Sequence, residues 1–559
     1  LRFIILAAIF SISLLAAQYY VDFIGNKTFS KERLYKELGL ERSWWERLIH
    51  PKEKPKVEDK LLPVLLEELE NFYRSQGFWE VEVDIKLDKD TAYFIIKENR
   101  PIIVKDISIT SNFPIHLKLK KGDRFIVSKF KETKAKTKEE LLKKGYCSYE
   151  FIAKAYVFEK KYEAYLTFYL DKGKICKIKN ISVSGLKTVP KKVVISHIYL
   201  TPGSKFSLEK VKESYRRLYS LGYFRFLNMD YSNKINNEIM LKIAAKEREK
   251  INIYKAGVGY DSQNGPHIRL YYKNLNFHLF QPSIDIYYSN DNKKIDFNLF
   301  YPSIKLFDTY FDTVTNLFYE SRDYGSFYQK SRAASFKLLK DYFRLSGSLK
   351  MTLEKVAIER SSSPCIKNRK YTLLYPSLFL LYDNRDSKLS PSRGYFIEDE
   401  IQLSIKTVSD SQFIKNRITG GIFYPFKKSI LFAKASLGTI TATEDLPPNM
   451  LFYAGGVKSN RAYTYQQIKA LDSDCDIGGK TLLDTTVEGR YRYKEGVKLA
   501  LFWDRTYLSR KEFRIKEYVD GVGIGAVIDT PLGEFKAYFG VNPNKISQNA
   551  INIFLGASF

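Results

Sequence analysis

The chain has 559 residues, 91 Lys and Arg against 63 Asp and Glu for a formal net charge of +28, and 15% aromatic residues, including 41 Tyr and 39 Phe. That length exceeds one soluble core, so two or more units are expected, while four cysteines without a Cys-x-x-Cys pair and five scattered histidines argue against a metal site. The positive charge is spread along the chain instead of forming a patch, which with the export leader described next sets aside a nucleic-acid partner; a solvated Lys-rich surface, or attraction to anionic lipid headgroups and lipopolysaccharide phosphates, accounts for it.

Arg2, an apolar run over 3–15 and then Ala16-Ala17 read as a signal peptide over 1–17, too short for a comfortable spanning helix. No later apolar run escapes interruption by charge. Three repeats follow, over 18–100, 101–177 and 178–250. Each has an amphipathic helix, a Gly-aromatic pair and two alternating strands. The helices are predicted over 65–76, 138–144 and 208–221, ending at Gly77-Phe78, Gly145-Tyr146 and Gly222-Tyr223. Glycine suits a left-handed helix end, and the aromatic starts the next core strand. In an oxidising compartment chain position favours the disulfides Cys147–Cys176, within one small domain, and Cys365–Cys475, between two surface loops; buried free thiols are the alternative.

From about 251 the helical period disappears. Ile295, Phe297, Leu299 and Tyr301 alternate with Lys294, Asp296 and Asn298; Leu499, Leu501 and Trp503 alternate with Ala500, Phe502 and Asp504. A period of two marks strands with two unlike faces. A charge facing lipid costs roughly 2–4 kcal/mol at mid-bilayer, so the polar parity is expected to line a watery lumen. About sixteen strands can be counted, an even number, with a long insertion over 441–480 between the eleventh and twelfth on the outer side. The final segment, 550–559, alternates down to the terminal Phe559; in lipid such a strand must find a partner for its backbone.

Several segments together resemble the BamA/TamA superfamily of outer-membrane assembly factors. They are Asn384-Arg385-Asp386 through Arg393-Gly394-Tyr395 as a periplasmic turn, Gly455-Gly456 through Arg461 and Tyr463 in the long loop, Thr486-Val487-Glu488, the strand holding Asp504, Thr530-Pro531-Leu532-Gly533, and Phe559. The resemblance implies an α+β series of three periplasmic POTRA repeats followed by an all-β antiparallel transmembrane barrel over 251–559. Three repeats are nearer to TamA than to BamA, which usually carries five. TamA-like proteins are implied to work with an inner-membrane-anchored partner, TamB, on unfolded client proteins amid outer-membrane lipid and lipopolysaccharide.

Two sites follow. The family's loop tip reads Val/Ile-Arg-Gly-Phe/Tyr; here it is Asn460-Arg461-Ala462-Tyr463, so Ala462 would be strained if a positive φ were needed, and a different backbone path is expected. By resemblance the loop folds into the lumen, where Arg461 meets acids; parity independently places Glu488 and Asp504 on that face, and a planar guanidinium suits two carboxylates. The alternative is a plain loop charge. The second site is the seam between the first strand, with Gly257 and Gly259, and the last, with Gly556 and Phe559. Glycines weaken a strand edge, and an exposed edge templates another strand. Relief of crowding in a curved barrel is the other reading of these glycines. Gly479-Lys480-Thr481 ends like a phosphate-binding loop, but Asp474 stands where its first Gly is required. The chain is therefore expected to be no enzyme and to hold no cofactor. The expected function is assembly of client barrels or autotransporters at the seam, against two rivals, a two-partner secretion pore and a passive porin.

Overall fold

The computed structural model describes residues 17–42, 53–261, 265–405, 407–494, 496–530 and 533–555. Residues 1–16 of the signal peptide expected over 1–17, and the expected seam residues Gly556 and Phe559, lie outside the described residues.

The N-terminal part forms three small sheets, each with helices. In the first, Gln18–Ile24 pairs antiparallel with Lys56–Glu58 and parallel with Thr91–Lys97, which in turn pairs with Glu82–Asp88. The helix Leu62–Ser75 repeats Leu62, Leu65, Leu69 and Tyr73 on one face, and these share a core with Val21, Phe23 and Phe94. The second sheet orders Ile103–Ser111, Glu163–Asp171 and Glu150–Phe158. Its helix spans Val127–Lys144, starting well before the predicted residue 138. The early turns turn Thr133 and Thr137 inward, with hydroxyls bonded to the carbonyls four residues back, so no apolar period announced them. Gly77, Gly145 and Gly222 have φ of +96°, +91° and +83°, the left-handed end each helix requires. Cys147 and Cys176 form a disulfide within this unit. The third sheet contains Lys177–Ser184, Phe224–Asp230, Lys234–Ile235 and Glu238–Glu247.

Segments 182–199 and 212–229 belong to the same compact unit as the residues from 242 onward. The imidazole of buried His197 lies 2.9 Å from Asp312 and 2.7 Å from the Val193 carbonyl, and Arg217 sits between Asp312 and Asp341 at 3.7 and 3.4 Å. Gln281 donates to the Leu221 carbonyl at 2.7 Å and the Tyr223 hydroxyl to the Leu279 carbonyl at 2.6 Å.

Sixteen antiparallel strands in sequence order, Asn252–Asp261 to Lys545–Leu555, make the large sheet, as the alternation predicted. No helix among the described residues is long and apolar enough to cross a membrane. Outward residues such as Leu431, Val487, Leu501 and Ile524 are exposed and apolar, whereas the inward parity carries Lys434, Asp484, Glu488 and Asp504, all buried. The polar parity faces inward as expected, but the inward face is not polar along its whole height. At the end remote from the start of the first strand, inward Val356, Ile358, Leu373 and Leu508 pack with Leu446, Met450, Phe452 and Ile468 of the long loop. The insertion supplies apolar partners there, so the inward face needs no water. Glu354, buried at this level, accepts from the Tyr375 hydroxyl at 2.9 Å and from Asn449 of the loop at 2.7 Å. The Cys365–Cys475 disulfide joins the 360–368 loop to the insertion.

Candidate functional site

The loop between Ser429–Ala442 and Thr481–Lys494 descends along the inner wall and turns at 456–463. Gly455 and Gly456 have φ of +104° and +91°, and a Cβ on Gly455 would lie 2.4 Å from the Thr464 carbonyl oxygen; only glycine fits this reversal. The Gly456 amide donates to both the Asn460 and Tyr463 carbonyls, closing the tip. Ala462 is buried and does not have a positive φ, so the Ala at the family's Gly position carries no backbone strain. Asn460, the other departure, is fully buried; its amide donates to the Val519 carbonyl at 3.2 Å and its carbonyl oxygen accepts from the Ala462 amide.

Arg461 is 3% exposed. Its Nε and Nη2 donate to the two oxygens of Asp504 at 2.9 and 2.8 Å, its main-chain amide adds a third bond at 3.0 Å, and Nη1 donates to Glu488. The planar fork is used bidentately, a geometry that an ammonium cannot reproduce. The guanidinium carbon lies 3.7 Å from the ring centre of Phe502 and 4.6 Å from that of Tyr538, so the cation is held between aromatic faces as well as between anions.

The network continues beyond the residues that sequence reasoning identified. Glu488 also accepts from Arg490 Nε at 2.5 Å and from the Tyr538 hydroxyl at 3.1 Å. Arg490 reaches Glu534 at 3.2 Å, and Glu534 accepts from Lys498 at 2.9 Å and Lys536 at 3.0 Å. Arg490, Lys498, Lys536 and Tyr538 share the inward parity of their strands, and that alternation was the available signal. In low-dielectric surroundings such charges are tolerable only when each has partners.

The last strands form a seat for the tip. Asn552 donates to the Arg461 carbonyl at 2.9 Å, Gln548 to the Ala462 carbonyl at 3.1 Å, and Asn542 to the Tyr463 hydroxyl at 2.7 Å. A Cβ on Gly540 would lie 2.4 Å from the Arg461 carbonyl oxygen, and one on Gly521 would lie 2.1 Å from Asn460 Oδ1. These glycines let backbone and tip approach.

The turn residues Arg393, Gly394 and Tyr395 occupy a separate place. Gly394 has φ of +106°, and a Cβ there would lie 2.3 Å from the Asn384 carbonyl oxygen. The Arg393 amide donates to Asp386 at 3.2 Å, and the Tyr395 carbonyl accepts from Asn384 at 2.9 Å. From the same turn the Ser390 hydroxyl reaches Asp529 at 2.6 Å and accepts from Lys498 at 3.0 Å, joining turn and network.

Gly257 and Gly259 lie in the first strand, paired with Arg269 and His267, and nothing stands within 4 Å of where a Cβ on Gly257 would be. Among the described residues, the first strand pairs only with Gly265–Asn274 and the last only with Gly533–Asn542. Val258 is 86% exposed, whereas Ile551 and Ile553, at 68% and 66%, are as exposed as outward Leu501 inside the sheet at 67%.

A profile of the Omp85 superfamily domain matches residues 254–559, and one described as surface antigen variable number repeat (POTRA) matches 20–99 and 176–248. The outer membrane protein assembly factor BamA of Nitratidesulfovibrio vulgaris is 22% identical over 396 residues, which is 67% of this chain and 50% of that protein; the chain thus spans about half the length of this relative. BamA from Haemophilus ducreyi lacking POTRA domains 1–3 shares the fold, with a TM-score of 0.53 at 16% identity over 82% of this chain and 100% of that one. CdiB from Acinetobacter baumannii aligns over 90% of this chain and 100% of its own, at 12% identity and a TM-score of 0.46.

Proposed function

We propose, from the premise that this chain belongs to the Omp85 superfamily, that it assembles client β-barrel or autotransporter proteins into the outer membrane by templating their strands at its own seam. As a member it is an outer-membrane barrel with periplasmic POTRA domains. The observation that carries the reading is the pair of outermost strands, Asn252–Asp261 and Lys545–Leu555, between which no ladder runs among the described residues. An unpaired edge offers main-chain donors and acceptors to an incoming strand. The Gly257 and Gly259 edge resists displacement least, because glycine adds backbone freedom and removes packing.

The loop tip bound to the inner wall through Arg461, Glu488 and Asp504 acts as a latch that holds the last strands in shape while the edge works. This role needs no covalent step, nucleotide or cofactor. Three N-terminal α/β units favour a TamA-like role with a TamB-like, inner-membrane-anchored partner. A buried loop tip and an apolar outer plug support assembly over a passive porin, which would show a wide steady conductance in single-channel recordings.

The test is a chemical bridge across the seam, joining Gly257→Cys to Ile551→Cys or Ile553→Cys. Bridging is expected to stop client assembly and reduction to restore it, and a client strand should crosslink to Gly257→Cys alone. Normal assembly by the bridged barrel sinks the proposal.

A further inference from the structure

We propose that the outward face of the fourth to seventh strands of the large sheet binds lipopolysaccharide in the outer leaflet, with an acyl chain in a groove and a phosphate between Arg332 and Lys355. Two rows of side chains cross these strands, Asn292–Leu306, Thr309–Asp323, Tyr328–Tyr342 and Leu345–Glu359, in register on one face. One row is Phe297, Leu317, Ala334 and Leu353; the next, one alternation nearer the outer ends, is Ile295, Tyr319, Arg332 and Lys355. Leu317 and Leu353 are exposed, whereas Glu354 of the other parity is buried, so both rows face lipid and not the lumen. The two rows line one cavity of about 530 Å³, so cations and apolar floor belong to the same concavity. Ala334 is its low point between two leucines, and exposed Phe336 and Met351, opposite one another, continue the apolar wall toward the periplasm. A flat barrel wall is wetted by exchanging lipid; a notch between large apolar side chains gives an acyl chain contacts on several sides.

The cations stand on the outer side. Each is the fifth residue from the strand end that meets the loops at 324–327 and 360–368, and the second loop is bridged to the insertion through Cys365–Cys475. The first strand follows the POTRA domains and so starts at the periplasmic end, which leaves these loops at the other. The anionic lipid of that leaflet is lipopolysaccharide, a phosphorylated sugar head on several acyl chains. Arg332 and Lys355 are exposed and directly opposite across the ladder, with side-chain roots about 5 Å apart, a placement in which like charges repel. Among the described residues no acid side chain lies within ion-pair distance of either. Glu359, the next acid of this parity on the seventh strand, pairs with Lys330 at 2.9 Å, and Asp410 accepts from the amide of Thr372, the residue opposite Lys355. One phosphate held by a guanidinium fork and an ammonium turns that repulsion into a shared contact. The Arg332 guanidinium carbon lies 5.8 Å from the ring centre of Tyr319, which keeps the fork beside the groove. The site needs only the barrel and its orientation, and stands apart from the assembly reading.

The experiment measures lipid retained by the purified full chain in native mass spectrometry, from micelles mixed with lipid A, with lipid A stripped of its phosphates, or with phosphatidylglycerol. The parent should keep one phosphorylated lipid A in preference to both of the others. The R332Q/K355Q variant, with both changes on exposed side chains, should lose about tenfold or more of the preference for the phosphorylated form. The K427Q/K428Q variant, which removes the same charge at an exposed turn of the periplasmic end, should keep it. Filling the floor with Ala334→Phe should lower retention of both forms of lipid A with the cations intact. Should the filled variant fail to fold, raising the salt on the parent replaces it, and the preference for the phosphorylated form should shrink. Equal retention of phosphatidylglycerol by the parent, an unchanged preference in R332Q/K355Q, an equal loss in K427Q/K428Q, or a preference insensitive to salt would each overturn the proposal.

Discussion

The side-chain amide of Asn552 donates to the main-chain carbonyl of Arg461 at 2.9 Å, so the strand that bounds the seam also grips the loop tip. Arg461 in turn holds Glu488 and Asp504 on the twelfth and thirteenth strands. Loop, wall and edge thus share one residue, and a change at the latch is expected to be felt at the seam.

Arg461→Ala leaves Glu488 and Asp504 buried without their shared cation and should destabilise the barrel by about 3–5 kcal/mol, the range for breaking a buried pair from one side. Arg461→Lys should recover only part, because one ammonium cannot reproduce the bidentate bond to Asp504 together with the bond to Glu488. The urea midpoint of the heat-modifiable gel mobility measures both. Equal midpoints for Ala and Lys would refute the geometric account.

Gly540→Ala and Gly521→Ala should differ. At Gly540 the added methyl meets the Arg461 carbonyl, which is backbone in a closed turn, whereas at Gly521 it meets the end of the Asn460 side chain. Gly540→Ala should therefore expose the tip to protease more than Gly521→Ala. A reversed order would show that the tip moves more easily than its hydrogen bonds imply.

The Cys365–Cys475 disulfide closes a separation of 110 residues. In the chain-entropy picture a loop of that size contributes about 4–5 kcal/mol. Replacing both cysteines by serine should increase cleavage within 443–480 by an added protease while leaving the ion network intact, since the bonds that hold Arg461, Glu488 and Asp504 together run through neither cysteine. Cleavage at the wild-type rate counts against it.

Glu247, in the periplasmic strand Glu238–Glu247, accepts from the amides of Lys187, Thr188 and Val189 and from the Thr188 hydroxyl. Burial pushes its carboxyl up, but these donors outweigh burial and hold it below the ordinary value. A depressed native pKa gives stability that is present above the unfolded value and lost as pH falls through the native one, in the region below about pH 4.5. Protection of the 187–189 amides, taken relative to the intrinsic exchange rate at each pH, should fall on acidification through that window in the parent. In Glu247→Gln the protection should be low and should not change across the window, and parallel protection profiles would rule the linkage out.

Alternation with period two is a local property of strands, so the barrel, its strand number and the inward parity of Glu488, Arg490 and Asp504 are legible from the residues. Glycine before an aromatic marked the helix ends at Gly77, Gly145 and Gly222 for an equally local reason. The start of Val127–Lys144 was hidden because threonines carry its buried face. The seat for the tip was hidden for a different reason: Asn552, Gln548, Gly540 and Gly521 are ordinary strand residues, and each becomes informative only beside a loop some 60 to 90 positions away in sequence.

Sequence alone therefore determined the architecture, an exported α/β series followed by a sixteen-strand barrel, because periodicity and helix-end chemistry act between near neighbours. Tertiary structure decided how the insertion fills the outer lumen, which charges pair inside it, and which residues of the last strands hold the loop tip. Those outcomes depend on contacts between distant segments, where closeness in space is set by the closing of the sheet and leaves no periodic trace in the chain.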